Sequence, residues 1–388
     1  MRPHNSPSIG SQALEWPAAR VIHLLGGCRA THGFDPNVTL FPPTIDGKDA
    51  SFISKGFRSL YSEIESLKLK LIGVDFYTHV LALEGHIPPE WRPFHRQRQS
   101  LWPATEAMQI YQRIGHGAFK RDNGALWDLA SRVAYQLEIV SWRLREVSEA
   151  YHATLKAQIG RRAFRAGCEF EDGFMGLVYF ALQSFLIDAC ILRDYLAELG
   201  VVVLSGRHGN ASVRERITTM SGLRKHLTSE INEPRLIVQE LKKATAPDGW
   251  ITLLGNYRNL IMHSAPLERA EKRLFALCGS LNIDAGRSIP AIYCPIPEDP
   301  LRIQKARSTG KQFEGFESQF DLFASRNIPR VDGMDYAHAV LRNLAILAQQ
   351  LATLSPIPPE FMVFTEADIV GFVEEHYHWP RDQGQPPR

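Results

Sequence analysis

Residues 126–159 read LWDLASRVAYQLEIVSWRLREVSEAYHATLKAQI, without a proline. Leu126, Leu129, Val133, Leu137, Val140, Leu144 and Val147 recur at intervals of three and four, which on a 3.6-residue period puts them on one side of a long helix. That stripe needs partners, and the chain supplies them downstream. A second helix is expected over about 171–199. Its core, FMGLVYFALQSFLIDACIL from Phe174 to Leu192, approaches membrane-spanning length but carries Gln183, Ser184 and Asp188. Charged residues crowd both its flanks, so a buried core helix is the reading taken. Polar helices follow at about 212–229 and from Glu233–Pro234. Another opens after Asp248, and a final amphipathic one reads MDYAHAVLRNLAILAQQLATL.

Upstream the pattern weakens. The first 50 residues are rich in Gly, Pro and short polar runs and read as irregular, with one short element at about 18–25. Phe57, Leu60, Ile64, Leu67, Leu71, Phe76, Val80 and Leu83 then recur at helical spacing, which predicts one helix or a broken pair over 53–83. The expected fold is all-α: a bundle of long antiparallel helices over 121–356, interrupted by an irregular insertion at 279–332. Residues 1–120 form an irregular and helical annex or a small separate domain, and residues 357–388 a C-terminal segment and tail.

Composition excludes several classes. The 388 residues are 44% hydrophobic and 22% charged, values of an ordinary folded protein. A net charge of +2 gives no global field toward nucleic acid or membrane, so any basic surface must be local. Cys28, Cys168, Cys190, Cys278 and Cys294 are odd in number and widely spaced, which argues against a disulfide framework or a zinc knuckle and suits a reducing cytoplasm. The polar N-terminus lacks the apolar segment of a secretory signal. There is no Gly-rich loop ending in GK[ST], no His-Glu-x-x-His and no Gly-x-Ser-x-Gly. The HYH at 376–378 offers two metal ligands beside a polar tail, too few for a site.

The one constellation with catalytic chemistry is Arg258-Asn259-Leu260-Ile261-Met262-His263, an Arg-x4-His on a helix with an amide directly after the arginine and apolar spacers. No other arginine of the chain has a histidine at that spacing. Asn259 and His263 lie one turn apart on a shared face. Arg258 sits about 100° round and must bend its side chain toward them. Arg and His near a helix end also cap carbonyls or line a polar surface, which is the bland reading of the same residues.

In this motif and its place late in a helical bundle, the chain resembles the HEPN superfamily, whose ribonuclease members carry Arg-x4–6-His. The resemblance covers the bundle region; residues 1–120 and the insertion have no counterpart in the minimal family fold. It implies metal-independent, cofactor-free RNA cleavage by attack of a 2′-hydroxyl on the adjacent phosphate. Arg258 would hold nonbridging oxygens, His263 exchange protons, and Asn259 orient phosphate or imidazole. It implies a homodimer in which two motifs meet, and a cytoplasmic toxin or antiviral effector held off by an inhibitor or trigger protein. A catalytically inactive, helical dimerisation or partner-binding protein is the alternative.

Two further groups are candidates. Asp188 lies within the apolar helix, where a lone carboxylate is costly, so it requires Arg258, a solvated cleft, or a structural bond to a neighbouring helix. Residues 91–102, WRPFHRQRQSLW, interleave Trp91 and Trp102 with Arg92, Arg96 and Arg98, a composition that holds phosphates and stacks bases. A solvated loop packed by its tryptophans explains the same residues.

Overall fold

The computed structural model describes residues 18–33, 36–54, 57–78, 97–171, 173, 175–204, 217–229, 236–270, 276–284, 286–310 and 331–361. Seven of its helices build a bundle, six of them within the expected 121–356 and the first within the stretch read as an N-terminal annex. These are α2 (Thr105–Lys120), α3 (Gly124–Gly160), α4 (Met175–Leu204), α5 (Met220–Ser229), α6 (Leu236–Ala244), α7 (Trp250–His263) and α9 (Gly333–Ala352). Asn123 caps α3, its side chain accepting from the Leu126 N–H at 3.1 Å. All seven residues of the α3 stripe are buried, and α3 packs on α2 and α4. Helix α4 in turn packs on α5, α7 and α9. It is the one helix among the described residues long and apolar enough to cross a membrane by length and composition, yet half of its apolar window is buried. Arg132 of α3 forks onto the Glu198 carboxylate of α4 at 3.0 and 3.1 Å, fixing the pair in register.

The N-terminal third overturns the all-α expectation. Strands β1 (Ala18–Leu24), β2 (Arg29–His32), β3 (Asn37–Phe41), β4 (Ala50–Ile53), β5 (Leu71–Thr78) and β6 (Gln97–Leu101) form an antiparallel sheet ordered β4-β3-β2-β1-β5-β6. An alternating apolar–polar pattern marks a strand only when its polar face is wet. Here Arg20, His23, Arg29, His32 and Asp75 are all buried, so the polar positions lie inside and the signal is lost. The helix expected over 53–83 is realised only as α1 (Phe57–Ser66). Lys68 then takes a left-handed φ of 56° and the chain turns into β5.

The described part of the 279–332 segment is likewise not irregular. Strands β8 (Ala276–Asp284) and β9 (Arg287–Tyr293) pair antiparallel, and β7 (Glu169–Phe170) adds to β8. β10 (Pro295–Ile296) pairs with β11 (Val331–Asp332), and α8 (Pro300–Ser308) packs on α7. The architecture is therefore mixed, a helical bundle with antiparallel sheets against it.

Sheet and bundle meet closely at the turn after β1. Gly27 has φ +81°, and a Cβ there would lie 2.7 Å from the Tyr151 carbonyl oxygen of α3. Only glycine suits both the left-handed backbone and the approach. Gly27→Ala is expected to destabilise the protein by about 2 kcal/mol or more, from left-handed strain and the collision with fixed backbone. Denaturant midpoints of the two proteins measure this, and an unchanged midpoint contradicts the tight contact.

Candidate functional site

Helix α7 carries the Arg-x4-His motif and is anchored on its other faces. Ile251, Leu254, Tyr257 and Leu260 are buried. The Tyr257 hydroxyl donates to the Pro297 carbonyl, and Cys190 Sγ of α4 approaches the Leu254 carbonyl at 3.7 Å. The helix ends where Ser264 and Ala265 N–H groups both close onto the Leu260 carbonyl, just before Pro266. Asn259 is half-buried, and His263, in the last turn, is exposed. Half-exposed Met262 lies beside them.

Arg258 bends toward Asn259, as the helical phase requires. Its Nη1 donates to Asn259 Oδ1 at 3.2 Å. Among the described residues it has no ion pair, whereas Arg132 and Arg143 of α3 and Arg193 of α4 are each matched to a carboxylate. Its charge is still felt by Asp194 and Cys190 of α4. Burial pushes the Asp194 carboxyl up, against the opposing pull of Arg193 and Arg258. The structure thus brings Arg258, Asn259 and Asp194 to one edge of α7 and leaves His263 open to solvent a turn further on.

Asp188 is not among them. Its carboxylate accepts from Arg143 Nε of α3 at 2.7 Å, and its backbone carbonyl from Gln136 at 3.0 Å. Cys190 and Asp194 are one turn apart and face α7; Asp188 is roughly 160° and 120° away from them around the helix and faces α3 instead. It is the structural bond to a neighbouring helix, not a partner of Arg258.

Of the proposed RNA-binding stretch, Trp91, Arg92 and Arg96 lie outside the described residues, as do His376 and His378. Arg98 is on the edge strand β6. Trp102 is a correction: it is only 5% exposed, its indole N–H donates to Asp75 Oδ1 at 3.1 Å, and its ring meets His23 edge-on at 4.9 Å. It also covers Gly73, where any Cβ would strike the indole. A side chain so enclosed stacks no base.

Trp102 borders a cluster that the sequence did not reveal. His23, Arg29, Asp75 and Tyr77 project from one face of the sheet toward Arg145, Ser148 and Glu149 of α3. Asp75 Oδ2 accepts from Arg145 Nε at 2.5 Å, His23 Nε2 at 3.2 Å and the Tyr77 hydroxyl at 3.3 Å. His23 Nδ1 then accepts from the Ser148 hydroxyl at 3.1 Å, whose oxygen takes an N–H from Arg29 at 2.9 Å. Burial, reinforced by Arg29, lowers the His23 pKa to about 4, so the imidazole is neutral. Burial works against the Asp75 anion, but His23 and Arg145 outweigh it and hold its pKa well below the usual range.

His23, Asp75 and Glu149 could offer three metal-ligand atoms within 4.8 Å of one another. The local charge is already balanced, since Arg29 and Arg145 answer the two carboxylates and the His23 Nε2 is spent on Asp75. A divalent cation would add net positive charge to a buried site, so the donor set does not fit one. Ser148, His23 and Asp75 resemble a hydrolytic triad in composition, but all three are fully buried, and the serine oxygen is engaged by Arg29. Comparison with family models, with curated proteins and with solved structures gives no match for this chain.

The buried cluster has a pH signature. An unfolded histidine titrates near ~6.5, so between there and about 4 the unfolded chain takes a proton that folded His23 refuses, and stability falls as pH falls. Melting temperature is expected to drop between pH 7 and 4.5, with a flatter profile in His23→Gln. Asp75→Asn should cost about 3–5 kcal/mol at pH 7, because it leaves the Arg145 guanidinium uncompensated. Chemical denaturation measures this, and near-wild-type stability would contradict the ion pair.

Proposed function

We propose that this chain is a metal-independent endoribonuclease of the HEPN type that works as a homodimer in the cytoplasm. The observation that supports this reading is the state of Arg258: a half-buried guanidinium that has no carboxylate partner among the described residues, turned onto Asn259 beside an exposed histidine. A partly buried arginine without a carboxylate partner among the described residues is poised for an external anion, and its planar fork suits a phosphate.

In this mechanism Arg258 holds the nonbridging oxygens of the scissile phosphate and stabilises the charge that builds on them. The 2′-oxygen loses its proton and attacks phosphorus; the bond from phosphorus to the 5′-oxygen breaks, and that oxygen gains a proton. The products are a 2′,3′-cyclic phosphate and a 5′-hydroxyl. His263, solvent-facing in the last turn of α7, serves one of the two proton transfers. Asn259 fixes the guanidinium by accepting from it. One chain supplies one such histidine, so the second proton-transfer group comes from the twin motif across a two-fold axis. The five cysteines, all unbridged, fit a reducing compartment.

Cleavage of single-stranded RNA is expected to persist in EDTA and to leave 2′,3′-cyclic phosphate ends. His263→Ala and Arg258→Ala should each slow it by about 100-fold or more without a matching fall in melting temperature. Loss of cleavage in chelator with recovery on adding magnesium refutes the mechanism. Full activity in both variants returns the motif to a structural role and leaves a helical interaction protein.

A further inference from the structure

Arg193 of α4 lies across Gly255 of α7, one helical turn before Asn259. A Cβ at Gly255 would come within 2.8 Å of Arg193 Nη1, so the guanidinium occupies the place of the missing side chain. The other edge of the fork is held: Nε and Nη2 both sit 2.9 Å from Asp194 Oδ1. Nη1 donates to no acceptor among the described residues. Gly255, Asn259 and His263 follow at four-residue intervals, about 6 Å per step, along one strip of α7. Two guanidiniums thus flank the strip on its α4 side, and the Asp194 carboxylate interacts with both.

We propose that Arg193 forms a second phosphate-binding position, seated over Gly255 and oriented by Asp194, which holds a phosphate of the RNA strand next to the one gripped by Arg258. This rests on the ribonuclease reading above and adds to it a residue from another helix. Arg193 is a substrate-binding residue here, and Asp194 a positioning residue that acts through it. The arrangement also explains a glycine in the middle of a helix, where alanine would favour the helix more. What a Cβ meets at this position is the far end of a flexible side chain, so the fold has no need of the glycine and Arg193 does.

The test measures binding apart from cleavage, using a fluorescent 2′-O-methyl RNA oligomer that lacks the attacking hydroxyl. Arg193→Ala is expected to weaken binding about tenfold and to lower the slope of log affinity against log salt by about 0.7, the loss of one single-strand phosphate contact. Gly255→Ala should weaken binding in the same direction while its melting temperature stays level or rises, an outcome that general destabilisation cannot produce. Arg193→Lys should restore part of the salt slope, and Asp194→Asn should weaken binding with the slope kept. If Arg258→Ala loses affinity while Arg193→Ala and Gly255→Ala bind as wild type with an unchanged slope, the second position is refuted and the ribonuclease reading stands. If the wild-type chain neither binds nor cuts RNA, both fall together.

Discussion

The fully buried carboxylate of Asp75 is the constraint on which the arrangement of sheet and bundle depends. An anion removed from water costs several kcal/mol unless its oxygens are satisfied. Asp75 has Arg145, His23, Tyr77 and Trp102 as donors, drawn from β1, β5, the residue after β6, and α3. Those elements reach one point only if the sheet is docked on α3 in a single register. Apolar contact would hold the two layers together without fixing that register, because hydrophobic burial is nondirectional. The relay continues inward. α3 sets α4 through Arg132–Glu198 and Arg143–Asp188, and α4 presents Cys190, Arg193 and Asp194 to α7.

What was legible in the sequence follows from which interactions are local. The α3 stripe could be read because seven apolar residues at helical spacing all go to the core, and the Asn123 cap marks its start. The sheet could not. In β1 the residues Arg20 and His23 look like solvent-facing positions, yet Arg20 meets His32 across the strands at 3.1 Å and His23 meets Asp75. A polar residue satisfied by a partner 12 or 52 residues away carries no signature in its neighbours. Trp102 failed for a related reason: beside arginines it has the composition of a stacking surface, and only the fold shows that Gly73 makes room for its ring.

The candidate site divides along the same line. Arg258, Asn259 and His263 are legible because the motif lies within two turns of one helix, and the bend of Arg258 toward Asn259 follows from helical phase alone. Asp188 and Asp194 are two carboxylates on one helix, and choosing between them needs the rotation of α4 about its axis. That rotation is set by Arg143 on a different helix. Gly255 is ambiguous in isolation, and only the guanidinium lying over it gives it a meaning.

The two clusters of arginine differ in a way that separates holding from binding. Around Asp75 and Glu149, two guanidiniums meet two carboxylates with a neutral imidazole between them, and the hydrogen bonds close on one another. A closed set of this kind gains nothing by admitting an ion and loses its pairing if it does, so it is suited to fixing structure. At the edge of α7, Arg193 and Arg258 face, among the described residues, the Asp194 carboxylate, whose own ionisation is disfavoured by burial, and Arg258 rests on an uncharged amide. The excess is positive, partly desolvated and reached by solvent. In a medium of lower effective dielectric than water such an excess attracts a phosphate more strongly than the same charges on an open surface would. On the reading proposed above, local imbalance of charge, rather than the near-neutral total of the chain, is what would draw an anionic polymer to this edge.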